Sequence, residues 1–149
     1  MAREPLAGTM QTEQRVICHL TGGLGNQLFQ YANAFAVARR NNAELILDTR
    51  DLKTGPDSRR DLLAHFALSA RIAAHDELPP HCNERLRCLA WRHLGRPPQF
   101  IRERGLGVNG RTLTLGAGCY LHGYFQSERY FAACSDLIRT ELQAQPGTS

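Results

Sequence analysis

Apolar positions follow two rhythms along this chain, and each announces a different element. Val16 to Leu20 is a short, mostly apolar run, β-branched at its start, as a buried parallel strand requires. From Leu28 to Arg40 the spacing changes to that of a helix, with Leu28, Tyr31, Ala32, Phe35 and Ala38 falling on one side. Arg39-Arg40 suit the negative end of that helix, and Asn41-Asn42 can stop it. Ala43 to Asp48 (AELILD) reads as a second buried strand. Two strands joined by such a helix make a right-handed βαβ unit with a parallel sheet. Asp48 closes the second strand, at the edge where such sheets bind ligands.

Order is weaker in the middle of the chain. Thr49 to Arg60 is polar and carries the turn signal Gly55-Pro56-Asp57. Asp61 to Leu68 fits a short helix or strand, and Asp76 can cap a brief turn before Pro79-Pro80. Asn83 to Leu94 is predicted helical, with Leu86, Leu89, Ala90 and His93 on one side and Pro97-Pro98 ending it. Phe100 to Leu115 reads as short-range β-like or irregular, with three glycines and no firm pattern. Cys119 to Phe125 then reads as another strand, and Ser127 as the N-cap of a helix from Glu128 to about Leu142. The expected fold class is α/β: a Rossmann-like parallel sheet with flanking helices over 16–142, between a loose leader at 1–15 and a tail at 143–149.

Composition narrows the classes of function. The chain has 149 residues and 42% hydrophobic content, enough for one core. No apolar run reaches membrane-span length, and the leader lacks the layout of a signal peptide. A cytoplasmic location, at most peripheral to the inner membrane, is expected. Net charge is +4, and Lys53 is the single lysine against seventeen arginines. Apart from Arg39-Arg40 and Arg59-Arg60 the arginines are scattered, without the dense stripe and interleaved aromatics of a nucleic-acid binder. Five cysteines, odd in number and without C-x-x-C, argue against a disulfide framework. His81, Cys82, Cys88 and His93 fit no usual zinc spacing, so no metal is expected.

Between the first strand and helix stand Gly22, Gly23 and Gly25. Glycine permits positive φ and close approach to the backbone. A helix starting there points bare N–H groups and a positive dipole end into the turn, which suits a phosphate. One reading is the nucleotide turn of nicotinamide enzymes, with Asp48 as the ribose-binding acid. Against it, Leu28 stands where that fingerprint has its third glycine, and no Tyr-x-x-x-Lys occurs. Asn26 can cap the helix or face a substrate. Gln27, Gln30 and Tyr31 could give a polar edge for sugar hydroxyls. Tyr124, Phe125, Tyr130 and Phe131 have core spacing.

These residues also carry a resemblance. GGLGNQLFQYANAFAVARR followed by AELILDT resembles the opening of the bacterial α-1,2-fucosyltransferases, and HGYFQSERYF (122–131) is similar to that family's GYFQSEKYF segment. The resemblance implies a two-domain, GT-B-like fold and inverting, metal-free transfer of fucose from GDP-fucose to the 2-hydroxyl of a terminal galactose, with no cofactor. Gly22, Gly23, Gly25, Asn26 and Gln27 would line the cleft, and Asp48 would hold the loop or a hydroxyl. The base candidates are Asp51, Asp61, His122 and Glu128, left unranked. The family also implies a His-x-Arg-Arg-x-Asp motif whose arginine meets the donor diphosphate, and residues 1–149 contain none. The expectation is therefore the N-terminal half of such an enzyme, without the C-terminal donor-binding domain and with little or no turnover by itself. A nicotinamide- or flavin-binding domain, and a non-catalytic remnant of a transferase, are the alternatives.

Overall fold

The computed structural model describes residues 14–52, 66–80, 86, 89, 98–103, 105 and 107–143. Strand β1 is Arg15–His19, helix α1 Leu24–Arg40, β2 Glu44–Asp48, β3 Arg71–Ile72, β4 Gln99–Arg102, helix α2 Gly110–Leu113, β5 Cys119–His122 and helix α3 Ser135–Glu141. The five strands form one sheet in the order β3-β2-β1-β5-β4, every pair parallel. This is the Rossmann-like α/β arrangement that the periodicity predicts. β1 lies at its centre, with Ile17 opposite Ile46 on one side and Tyr120 on the other.

The two-residue period of a strand divides its side chains between faces. Val16, Cys18, Leu20, Leu45, Leu47, Cys119 and Leu121 join the main core with Tyr31, Ala34, Phe35 and Ala38 of α1 and Ile138 of α3. The alternate set, Ile17, Ile46 and Tyr120, packs with Leu78 on the other face. Because both faces are covered, the strands read as unbroken apolar runs rather than as alternation.

Several elements differ from the sequence pattern. Helix α1 begins at Leu24, not Leu28, so Gly25 and Asn26 lie inside its first turn and Gly23 takes the N-cap. Asn26 is therefore not the cap. Arg15 belongs to β1 rather than to a leader. The predicted long helix after Ser127 is broken into 3-10 turns at Glu128–Tyr130 and Ala132–Cys134, followed by α3. Ser127 does accept from the Arg129 N–H. The break lies where tertiary contacts outweigh helix continuity: the Tyr130 hydroxyl accepts from the Asn109 N–H at 2.8 Å, and Phe131 packs near Phe29. In the stretch read as β-like or irregular, β4 runs from Gln99 to Arg102, and α2, capped by Asn109, is the element the pattern did not foresee. β5 stops at His122, short of the predicted Phe125, which instead has φ +49. Asp76 lies within the 3-10 turn His75–Glu77, not before it. Of the predicted helix at 83–94, Leu86 and Leu89 are helical and exposed. The remainder of that helix lies outside the described residues, as do Asp61, Gly55-Pro56-Asp57, Arg59-Arg60 and the four residues weighed as zinc ligands.

At the amino end of the sheet, Arg15, Glu44, Arg71 and Glu77 form a linked set of ion pairs. Hydrogen bonds from Arg71 hold the Glu77 carboxyl down at about 2, against a smaller opposing effect of burial. That end is thus built for cohesion. The opposite end is where the chain turns sharply, and Gly22, at φ +79, is the residue that allows it. A Cβ there would stand 2.8 Å from the Asn26 amide nitrogen. Gly22→Ala is expected to destabilise the fold by about 1–3 kcal/mol, read as a lower urea midpoint; an unchanged midpoint would show that the turn is not constrained as described.

Candidate functional site at the carboxyl ends of the strands

Three strands end in polar residues at the same edge of the sheet: β1 in His19, β2 in Asp48 and β5 in His122. Together with Ile17, Ile46 and Tyr120 they fall on the face opposite α1, because each lies an even number of residues from the others along its strand.

Asp48 is 1% exposed and fully partnered. Its Oδ1 accepts from the Arg50 backbone N–H at 3.1 Å and from Arg50 Nε at 3.0 Å. Its Oδ2 accepts from Arg50 Nη2 at 2.9 Å and from the Tyr120 hydroxyl at 2.6 Å. Burial pushes this carboxyl up, but the hydrogen bonds from Arg50 and Tyr120 and the Arg50 charge outweigh it and hold it below the usual range. Burial, and then the Asp48 charge, drive the Tyr120 hydroxyl far up, so it stays a proton donor. Arg50 also donates to the Pro79 carbonyl at 2.8 Å, tying in the segment after β3. Asp48 is thus anchored within the fold by Arg50 and Tyr120.

Arg50 and Asp51 belong to a 3-10 turn, Arg50–Leu52, directly after β2. The turn brings Asp51 Oδ2 to 2.6 Å from Nε2 of His19. The His19 side chain is 7% exposed and that of Asp51 48%. His19 Nδ1 is buried without a hydrogen-bond partner, a state that costs about 1–3 kcal/mol. The His122 ring stacks on His19, centroids 4.4 Å apart and planes within 4°. Burial, then the neighbouring His19 and Arg102, lower the His122 pKa below the ordinary histidine value.

Beside these groups lies the glycine corner. Leu24, Gly25 and Asn26 begin α1 with amides outside the helix's own ladder, whereas Gln27 N–H already bonds to the Gly23 carbonyl. No acidic side chain lies in this first turn. Gly25 opens onto space: a Cβ on it would meet nothing within 4 Å. Gln27 does not face the cleft, as expected of a lining side chain, but is fully buried and donates to the Gly22 carbonyl at 2.9 Å. Gln30 accepts from the Thr21 N–H at 3.0 Å, and the Tyr31 hydroxyl donates to Glu141. All three point inward, so the sugar-facing polar edge expected of them is absent. Gln27 and Gln30 brace the corner from below, and Gln27 Oε1, Gln30 Nε2 and both side-chain polar atoms of Asn33 are buried without a partner among the described residues.

The second motif docks onto the first. Gln126 Nε2 donates to Asn26 Oδ1 at 2.6 Å across 100 residues of sequence. Its loop is held by Glu103, whose Oε2 accepts from the N–H groups of Tyr124 and Phe125 at 2.8 and 2.9 Å. A Cβ at Gly123 would overlap the Glu103 side chain. Phe125 and Tyr130 are core, as their spacing predicts, whereas Tyr124 is 47% exposed. Glu128 lies in its own 3-10 turn and is exposed. Cys18 and Cys119 are free and buried. Burial pushes the Cys119 thiol up to about 12 and raises Cys18 too, so neither is a nucleophile.

The geometry therefore joins Gly22, Gly23, Gly25 and Asn26 with Gln126, and Asp51 with His122. Sequence reasoning missed His19, Arg50, Tyr120 and Glu103. The signal for His19 was available in the polar termini of three otherwise apolar strands. Among the described residues no group of three side chains could hold a metal, and no helix is long and apolar enough to cross a membrane.

No family model and no solved structure matches the chain. It is 50% identical over 38 residues to an alpha-1,2-colitosyltransferase of Escherichia coli. That stretch is 26% of this chain and 13% of the relative, so most of both proteins is unaligned. The chain thus combines a Rossmann-like parallel sheet with a segment similar to part of a glycosyltransferase.

Two predictions follow from the buried charges. Arg50→Met leaves Asp48 buried without its cation and should destabilise the fold by about 3–5 kcal/mol in denaturant unfolding; a loss below about 1 kcal/mol would contradict the anchoring role. For His122 the folded pKa lies below the unfolded value of about 6.5. The unfolded chain then takes up the proton first, so stability falls as pH drops through about 6.5 toward the folded value. The melting temperature should decline between about pH 7.5 and 5.5, and less steeply in His122→Gln. Equal slopes in the two proteins would count against the lowered pKa.

Proposed function

We propose that this chain is the N-terminal half of a sugar-nucleotide-dependent glycosyltransferase, one that moves L-fucose from GDP-fucose to the 2-hydroxyl of a terminal galactose. The observation that carries the reading is Gly25. Gly22 is needed by the backbone, but Gly25 lies in a helix, where glycine is less stable than alanine by up to about 1 kcal/mol, and none of the described residues crowds it. An open glycine beside bare amides is what a diphosphate requires. The matched relative supports transfer chemistry, and since its name specifies colitosyl transfer, colitose is the second donor sugar to test.

In this reading the galactose 2-hydroxyl oxygen attacks the anomeric carbon from the side opposite the diphosphate, and its proton passes to a general base among Asp51, Asp61, His122 and Glu128. The carbon–oxygen bond to phosphate breaks, and its electron pair leaves with GDP. Amides of Leu24, Gly25 and Asn26 stabilise part of the charge that develops there. The arginine fork expected of the family would carry the rest, and residues 1–149 offer no His-x-Arg-Arg-x-Asp to supply it. The nicotinamide alternative loses support because both oxygens of Asp48 are already engaged by Arg50 and Tyr120.

GDP should raise the melting temperature of the chain, by the equivalent of about 2.7 kcal/mol at a hundredfold excess over Kd, while NAD should not. Gly25→Asp should leave the fold as stable or more so, since an acid in the first turn suits the helix dipole, yet abolish the GDP response. Stabilisation by NAD instead, or a GDP response indifferent to Gly25→Asp, would refute the assignment.

A further inference from the structure

Asp51 departs from the usual behaviour of a half-exposed carboxylate. Such a group ordinarily samples several rotamers in water. Here Oδ2 is fixed at 2.6 Å by the Nε2 of a histidine whose side chain is almost wholly buried, and the rest of the carboxylate remains open. His19 bears a penalty for this, because its Nδ1 has no hydrogen-bond partner among the described residues. An apolar residue would fill the same inward-facing position without that penalty. The Asp48 anchor adds a second layer, since it sets the turn that carries Asp51.

The surroundings define what could bind. Among the described residues, the charged and titratable groups around the pair are Tyr120, its ring centroid 6.3 Å from that of His19, Asp48 with its partner Arg50 on the β2 side, and His122 on β5 with Arg102 of β4 near it. Asp51 is the open charge of the pair and repels phosphate, whereas a carboxylate strongly accepts O–H donors. The stacked, partly exposed His122 favours its neutral form and offers a further polar edge. A neutral polyol fits this set better than an anion, which the glycine corner accommodates instead.

We propose that Asp51 is the carboxylate that receives a hydroxyl of the galactose acceptor, and that His19 is the residue that positions it. This rests on the transferase reading for the identity of the sugar, but it concerns a different patch from the glycine corner.

The probe is methyl β-D-galactopyranoside, titrated into the full chain and followed by saturation-transfer NMR. Binding should weaken about tenfold or more in Asp51→Asn, as expected for loss of a charged hydrogen bond. The exposed-site control Asp136→Asn should bind as the parent does. His19→Asn should also weaken binding, and the double variant with Asp51→Asn should be no worse than Asp51→Asn alone, which a merely structural histidine would not produce. Thermal shifts with GDP are measured on the same variants. A retained GDP response with galactoside binding that ignores Asp51→Asn overturns this proposal and leaves the transferase reading standing. Asp51-dependent galactoside binding without any GDP response does the reverse. No galactoside binding by the parent chain also overturns the proposal.

Discussion

A buried carboxylate organises the functional end of this sheet. Asp48 is nearly sealed from water, so its charge is tolerable only with a cation and hydroxyl in place. Meeting that need joins strands β2 and β5, the turn after β2 and the loop that carries Pro79. Arg50 folds back over the end of β2, and Tyr120 reaches from β5 across the central strand. The second hand of the Arg50 fork takes the Pro79 carbonyl. Once Arg50 is committed, the direction of the turn after β2 is set, and Asp51 is delivered to His19. The position of the acid and the β2 exit follow from one desolvated charge, while sheet register sets the stacked imidazoles beside them.

The glycine corner obeys a different constraint. Gly22 satisfies geometry, with φ positive and the Asn26 side chain close to where a Cβ would stand, and the buried side-chain amides of Gln27 and Gln30 hold Gly22 and Thr21 from beneath. Gly25 satisfies no such demand. The separation matters physically: one glycine shapes the turn, while the other leaves a surface that the protein itself does not fill. Gln126 then bridges the corner to the loop after β5, so residues a hundred positions apart share one wall.

The β1–α1–β2 unit was readable from sequence because its apolar rhythm is long, uninterrupted and local. The short outer strands were not, since Arg71–Ile72 and Gln99–Arg102 are held by pairing with neighbours rather than by any pattern of their own. The start of α1 was misplaced because Gly25 and Asn26 are weak helix formers that the following turns nevertheless incorporate. The break near Phe131 depends on Tyr130 meeting Asn109, a contact no local window contains. Within the site, the glycines were legible by type. The roles of Gln27 and Asp48 were not, because whether a polar group faces a ligand or the interior depends on which buried donors and acceptors still lack partners. His19 escaped notice for a related reason: its partners are chosen by sheet register and by a turn 32 residues downstream.

The central position of β1 also bears on how the protein is made. Its flank toward Val16, Ile17 and Cys18 is completed by Cys119, Tyr120 and Leu121. During synthesis the first βαβ unit can assemble early, yet this flank of the central strand stays bare until β5, which begins 71 residues after Asp48 (119 − 48), has emerged. An unpaired, apolar strand edge is a template for sticking to other chains. The growing polypeptide therefore passes through a long interval in which crowding on the ribosome, or the supply of chaperones, governs its yield.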